Sequence, residues 1–231
     1  LMSVRGLSVS FKENDHWLQA LKDVSFDIPK GKTVCLVGES GCGKSVTARS
    51  ILRILDHNAR IDEGQILYEQ DNGTEIDITR EPEKSTALKQ LRGNDATMIF
   101  QEPMTAISSF YTIGNQIIEA LRLHERISKY DARQRAIEAL NAVGMPDPET
   151  RLDAYSFELS GGQRQRAMIA MALITNPRLL IADEPTTALD VTTQAVILDL
   201  MRDLQDRLGM SILFITHDLG VVAEMADEVV V

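Results

Sequence analysis

Hydrophobic positions alternate loosely from Val4 to Phe11 and again through Val24-Ser25-Phe26-Asp27-Ile28. That alternation predicts two strands, the second closed by the turn-forming Pro29-Lys30-Gly31. The pattern then changes: Thr33-Val34-Cys35-Leu36-Val37 is an unbroken apolar run ending in glycines, as expected of a strand buried in a parallel sheet. Lys44 to Leu55 has helical spacing, with Val46, Ile51, Leu52 and Leu55 available for one face. Residues 69–95 are polar and charge-rich and predict hairpin tips and a surface insertion, after which Ala96 to Phe100 predicts another strand. From Ile113 to about Thr175 the spacing is helical. Ser128 is positioned to cap a helix carrying Ala132, Ala136, Ile137, Leu140 and Val143, with Gly144 placed to end it. Strands and helices then alternate once more, with a strand at Leu179–Ala182, a helix from Thr192 to Leu208, a strand at Ile212–Ile215 and a short helix from Asp218. Strand–helix alternation on both sides of a helical block predicts an α/β parallel-sheet core with an inserted helical subdomain.

Composition narrows the possibilities. A chain of 231 residues with 44% hydrophobic residues can bury a real core, which excludes disorder. The formal net charge of −10 leaves no basic excess to neutralise a polyphosphate backbone, so nucleic acid is not an expected partner. No apolar run approaches the roughly 18–20 residues needed to span a bilayer, so a membrane role would come through a partner. The two cysteines, Cys35 and Cys42, fit a reducing compartment better than a disulfide framework or a metal site. The chain begins at Leu1 ahead of Met2 and stops within Val229-Val230-Val231, which reads as a strand just starting. A trimmed domain is the expectation.

Three short strings carry chemistry. Gly38-Glu39-Ser40-Gly41-Cys42-Gly43-Lys44-Ser45 follows a predicted strand and opens a predicted helix, in the pattern G-x-x-x-x-G-K-[ST]. Glycines there let backbone N–H groups turn inward around phosphates, and the helix adds its positive end. Lys44 supplies a point charge for the β/γ-phosphates, and the Ser45 hydroxyl is a Mg²⁺ ligand. Leu179-Leu180-Ile181-Ala182-Asp183-Glu184 is an apolar strand ending in adjacent carboxylates. Given the phosphate loop, Asp183 suits the Mg²⁺ shell and Glu184 the polarisation of an attacking water. Leu159-Ser160-Gly161-Gly162-Gln163 would, on composition alone, be a Ser-capped helix start.

In company with the other two, that last string is similar to the signature of ABC ATPases, and the rest of that family's pattern follows in order. Gln101 resembles its Q-loop, Ala188-Leu189-Asp190 its D-loop, and His217 its switch histidine. The nearest subgroup by resemblance is the ATP-binding subunit of oligopeptide, dipeptide and nickel importers, on Phe100-Gln101-Glu102-Pro103-Met104-Thr105, on the stretch from Asp183 to Val191, and on Ile215 to Asp227. The chain departs from the subgroup at Ile107-Ser108-Ser109-Phe110, where a Leu-Asn-Pro stretch is usual, and at Ser156-Phe157, where Pro-His is common.

The resemblance implies a P-loop NTPase parallel-sheet core with an antiparallel β subdomain and an inserted helical subdomain. It implies one ABC ATPase domain over residues 1–231, with a core of 1–105 and 159–231 and helices over about 106–158, truncated at its C-terminal end. It also implies a head-to-tail dimer binding ATP and Mg²⁺. Gly38, Ser40, Gly41, Cys42, Gly43, Lys44, Ser45 and Val46 of one subunit would hold the nucleotide. Ser160, Gly161, Gly162 and Gln163 of the second ATP-binding subunit would close over it, with Asp190 reaching across. Glu184 would be the general base, and His217 would contact the γ-phosphate and order Glu184. Gln101 would sense metal and water, sharing the Mg²⁺ with Ser45 and Asp183. Phe11 aligns with the adenine-stacking aromatic; Trp17 is its rival, and core packing is the other role open to Phe11. The implied partners are transmembrane permease subunits and, indirectly, an external solute-binding protein, with the chain peripheral on the cytoplasmic face of the membrane and peptides or a related small solute as cargo. The rival readings are a soluble ABC ATPase acting on DNA or ribosomes, a nucleotide-holding module without turnover, and a simple P-loop kinase.

Overall fold

Strands β1 (Met2–Glu13) and β2 (His16–Ile28) form a long antiparallel hairpin. Asn14 and Asp15 both take left-handed φ, 44° and 66°, and make the two-residue turn whose twist matches the flanking strands. Sequence spacing predicts the second strand only from Val24, but it begins at His16. The added residues are mostly exposed, so pairing with β1 rather than burial makes them a strand.

The computed structural model describes residues 1–101, 106–187 and 189–231. It divides into two compact units, Leu1–Arg92 with Gly209–Val231, and Gly93–Leu208. In the first unit β1 also pairs antiparallel with β4 (Ala59–Glu69), which carries the short β5 (Glu75–Asp77), giving the order β2-β1-β4-β5. Beside this antiparallel layer lies parallel structure. The predicted strand β3 (Thr33–Val37) sits between β8 (Ser211–Thr216) and β9 (Glu228–Val230), with Val34 opposite both Leu213 and Glu228. All of β8 and most of β3 are buried, which accounts for their unbroken apolar runs.

Helix α1 (Lys44–Ile51) starts where predicted but stops short of Leu55. Arg53 turns left-handed (φ 52°), and its guanidinium donates to the carbonyls of Ile78 and Thr79 at 2.8 and 2.7 Å. The polar segment after Glu69 is less of a surface loop than its composition predicts. Beyond β5, a 3₁₀ turn (Ile78–Arg80) and helix α2 (Thr86–Leu91) are fastened by Asp77 and Ser85, whose side chains accept the N–H groups of Thr79 and Leu88. Ile78, Leu88 and Leu91 are fully buried, each such side chain contributing about 1.5–3 kcal/mol.

The second unit pairs β6 (Ala96–Ile99) in parallel with β7 (Leu179–Asp183). Between them in sequence run α3 (Ile113–Arg122), α4 (Lys129–Ala142), α5 (Pro148–Leu152), a 3₁₀ turn (Ser156–Glu158) and α6 (Gly161–Leu173); α7 (Val191–Leu208) follows β7. Ser128 caps α4 as its spacing predicts, accepting the N–H of Asp131 at 3.1 Å, and Ala132, Ala136 and Leu140 are buried. Helix α8 (Leu219–Met225) belongs to the first unit. Among the described residues no helix is long and apolar enough to cross a membrane.

Candidate functional site

The first unit carries the phosphate loop. β3 delivers the chain to Gly38, and Gly43 (φ 100°) turns it into α1. Helix α1 has no side-chain cap, so its leading N–H groups face the loop without a local side-chain acceptor. Lys44 is buried, and its Nζ donates to the carbonyls of Gly38 and Glu39, both at 2.8 Å. Cys42 Sγ lies 3.9 Å from that Nζ, and a Cβ on Gly38 would fall 2.6 Å from the sulfur. Ser40 and Gly41 are exposed, while Ser45 and Val46 are half-buried. The loop therefore presents a helix start with no side-chain cap and one ammonium, a receptor for anionic oxygen.

Which aromatic faces this loop is settled by register. A Cβ on Gly43 would overlap the Leu21 Cδ2 methyl, so the loop lies against Leu21, and Leu21 pairs with Val9. The extra residue in β2 is Ala20, so alternation along β1 is unbroken and Phe11 shares a face with Val9. Trp17 pairs with Lys12 and stands on the opposite face, where the Arg60 guanidinium lies 3.9 Å above its ring. Half-buried Phe11 is thus on the phosphate-loop face of the sheet and Trp17 is not. His217, exposed, follows β8; the next residue, Asp218, caps α8 by accepting the Gly220 N–H at 2.8 Å.

The second unit holds the carboxylates. Asp183 ends β7 and is 3% exposed. Glu184 follows with a left-handed φ of 46°. Its Oε2 accepts the Gln101 amide N–H and the Thr187 hydroxyl, each at 3.0 Å. Gln101 and Glu184, 83 positions apart, are therefore brought together, a contact that the sequence resemblance did not imply. Thr187 is a partner that sequence reasoning missed; its one signal was its place three residues after the carboxylate. Ser160 caps α6 in a reciprocal box: its hydroxyl accepts the Gln163 N–H, and the Gln163 side chain accepts the Ser160 N–H at 3.0 Å. Ser160 and Gly161 are exposed, and a Cβ on Gly161 would meet nothing within 4 Å. Asp190 is exposed and caps α7 through Thr193. Ala188 of the D-loop string, and Glu102 to Thr105 after Gln101, lie outside the described residues.

For a metal, the chemistry of the donors matters. Among the described residues no group of three or more His, Cys, Asp or Glu side chains could cage an ion. The Ser45 hydroxyl, the Asp183 carboxylate and the Gln101 amide oxygen are all hard donors. Donors of this kind individually suit Mg²⁺, which is commonly held by one or two carboxylates together with substrate phosphates.

A glycine-rich loop running from a parallel strand into a helix, an ammonium set for phosphate and a strand ending in Asp-Glu define a P-loop nucleoside-triphosphatase fold. The narrower class follows from comparison. The family described as "ABC transporter" matches residues 21–187, and the chain belongs to that family. It is 56% identical over 232 residues to the peptidoglycan transport ATP-binding protein YejF of Agrobacterium fabrum, covering 100% of this chain and 41% of that protein. It is 52% identical to the putative peptide import ATP-binding protein BMEII0863 of Brucella melitensis, covering 100% of this chain and 68% of the relative. Dimeric structures of the ABC transporter cassette MJ0796 superpose with a TM-score of 0.85 at 26% identity, covering 100% of this chain and 93% of that one. A post-hydrolysis dimer of the same cassette, bound to ADP and Pi, gives 0.84 at 27%.

Proposed function

We propose that this chain binds and hydrolyses ATP as the motor subunit of a membrane transporter, and that it does so as one half of a head-to-tail dimer. The observation that carries the reading is the exposed signature turn. Ser160 and Gly161 stand uncovered at the start of a 13-residue helix, a second anion-recognising element besides the phosphate loop. A chain with two such elements makes sense if each completes the site of its neighbour.

In this reading the phosphate-loop residues Gly38, Ser40, Gly41, Cys42, Gly43 and Val46 line the nucleotide, and Lys44 neutralises the β/γ-phosphates. Phe11 stacks on the base. Ser45, Asp183 and Gln101 hold Mg²⁺, which supplies charge neutralisation at the phosphates when bound. Glu184, steadied by Gln101 and Thr187, takes the proton of the attacking water, and His217 contacts the γ-phosphate. Ser160, Gly161, Gly162 and Gln163 close over the partner's ATP while Asp190 reaches across. Closure is a population shift driven by contacts made only in the closed state.

Coupling to transport is assigned to the segment of about 106–158, set within a core of 1–105 and 159–231. Phe110 is 85% exposed and Phe157 69%, with Tyr155 stacked on Phe157 at 5.5 Å between centroids. A bridge pairs Thr112, two residues after Phe110, with Tyr155, and such exposed aromatics suit an apolar segment of transmembrane permease subunits. The names of the relatives support peptide import. In this reading the chain works on the cytoplasmic face of the membrane, and an external solute-binding protein chooses the cargo. The same names favour this over an ABC ATPase acting on DNA or ribosomes.

The test is Glu184→Gln. With ATP and Mg²⁺ the variant retains nucleotide, loses turnover and elutes from gel filtration as a nucleotide-filled dimer. Elution only as monomer would overturn the shared-site reading.

A further inference from the structure

We propose that Thr193 is a positioning residue that couples the two loops through which one subunit addresses its neighbour, Ser160–Gln163 and Leu189–Asp190. The inference rests on the shared-site reading and adds the device that keeps those loops in register.

The geometry uses both arms of one β-branched side chain. Thr193 is the third residue of α7. Its backbone N–H donates to Asp190 Oδ1 at 3.0 Å and its hydroxyl donates to Asp190 Oδ2 at 2.7 Å. Both carboxylate oxygens of Asp190 are thus engaged within its own turn. The backbone bond first and the hydroxyl second also hold that carboxyl below its ordinary value. The methyl arm points elsewhere: a Cβ on Gly162 would lie 3.2 Å from Thr193 Cγ2, which is tighter than ordinary van der Waals contact. The Gly162 backbone therefore lies next to the side chain that fixes Asp190, with little room for a side chain of its own between them.

β-branching makes this link stiff, because rotating the hydroxyl away from Asp190 also rotates the methyl away from Gly162. Beside the contact, a cleft of about 460 Å³ opens between Pro146, Gln163, Arg166 and Val196. Gly162 and Thr193 both line this cleft, so the approach between them lies at its wall. A signature loop drawn onto the partner's nucleotide would carry Asp190 with it, and displacement of Asp190 would move the signature glycine.

Serine keeps the hydroxyl and loses the methyl, valine keeps the methyl and loses the hydroxyl, and alanine loses both. The experiment measures ATP hydrolysis against protein concentration for the wild type, Thr193→Ser, Thr193→Val and Thr193→Ala. Binding of a fluorescent ATP analogue to dilute protein and the melting temperature are measured alongside. The protein concentration for half-maximal activity should rise in each variant, by roughly tenfold in Thr193→Ala, the equivalent of one lost hydrogen bond of the stronger kind. Binding by dilute protein should stay at the wild-type value, since the phosphate loop is untouched. Variants whose concentration dependence matches the wild type would overturn the proposal. So would activity, dilute binding and melting temperature falling together, because that marks a residue that merely supports α7. If the wild type itself is linear in protein concentration, the shared-site reading falls, and this inference with it.

Discussion

Alanine at Gly43 should harm the empty chain far more than alanine at Gly41, although both glycines take left-handed φ, 100° and 83°. Forcing an L-residue into that region costs about 1–2 kcal/mol, and a stiffer unfolded chain returns about 0.4–1 kcal/mol. Gly41 has nothing within 4 Å of its Cβ position, so the balance there is about 1 kcal/mol or less. At Gly43 the new methyl would overlap Leu21 Cδ2 and lie 3.1 Å from the Ala20 carbonyl oxygen. The Leu21 methyl can rotate, but the carbonyl belongs to a strand backbone. Overpacking of this kind adds about 1–3 kcal/mol, for a total of about 2–4 kcal/mol. In a domain of this size each kcal/mol lowers Tm by about 2–4 °C. Thermal melts without nucleotide should therefore fall by about 2–4 °C for Gly41→Ala and about 5–15 °C for Gly43→Ala. Adding ADP, which raises the wild-type Tm by mass action, should fail to rescue Gly43→Ala. Equal losses in the two variants, or a larger loss at Gly41, would refute the packing of the loop against Leu21.

Two further outcomes follow from single side chains. Cys42 is exposed, whereas burial pushes the Cys35 thiol up to about 11, leaving it roughly a hundredfold less thiolate than an ordinary cysteine at neutral pH. Alkylation followed by mass spectrometry should label Cys42 first and weaken ATP binding; prior labelling of Cys35 would contradict this. Asp227 accepts the Thr33 N–H at 2.8 Å and pairs with Lys32 at 3.0 Å, and these bonds hold its carboxyl below the ordinary 3.8. Its stabilisation is therefore fully present above that ordinary value and is lost as pH falls through the lower folded value. The Tm gap between wild type and Asp227→Asn should be flat above about pH 5 and shrink below about pH 4. A gap that widens in acid would show the sign to be wrong.

Strings with obligatory chemistry were legible in the sequence, because each residue type answers a local demand. Gly43 before Lys44 and the apolar run before Asp183 could be placed from the chain alone. What escaped was structure held by pairing and capping. The first turn of β2 is exposed and exists because Asn14-Asp15 closes a hairpin. Residues 75–91 fold on two capping side chains and three buried apolar residues within a polar segment. That Phe11 and not Trp17 shares a face with Leu21 depends on one extra residue at Ala20, which composition does not reveal. Beyond its place three residues after the carboxylate nothing marks Thr187, whose hydroxyl donates to Glu184 only because the turn after β7 folds back on the carboxylate.

The charged groups of the site share a property that bears on how it works. Lys44 is buried, and an ammonium there without acceptors would be costly, yet two loop carbonyls satisfy it. Glu184 sits in a backbone conformation that costs about 1–2 kcal/mol, and Gln101 and Thr187 hold it there. Strain kept at a carboxylate beyond a strand end, and supported by two donors, fits a group that must be aimed rather than packed. Nucleotide binding then replaces partners instead of creating them. On the proposed reading Lys44 would give up two neutral carbonyls for charged oxygens, and only the excess strength of charge-assisted bonds over neutral ones would be gained.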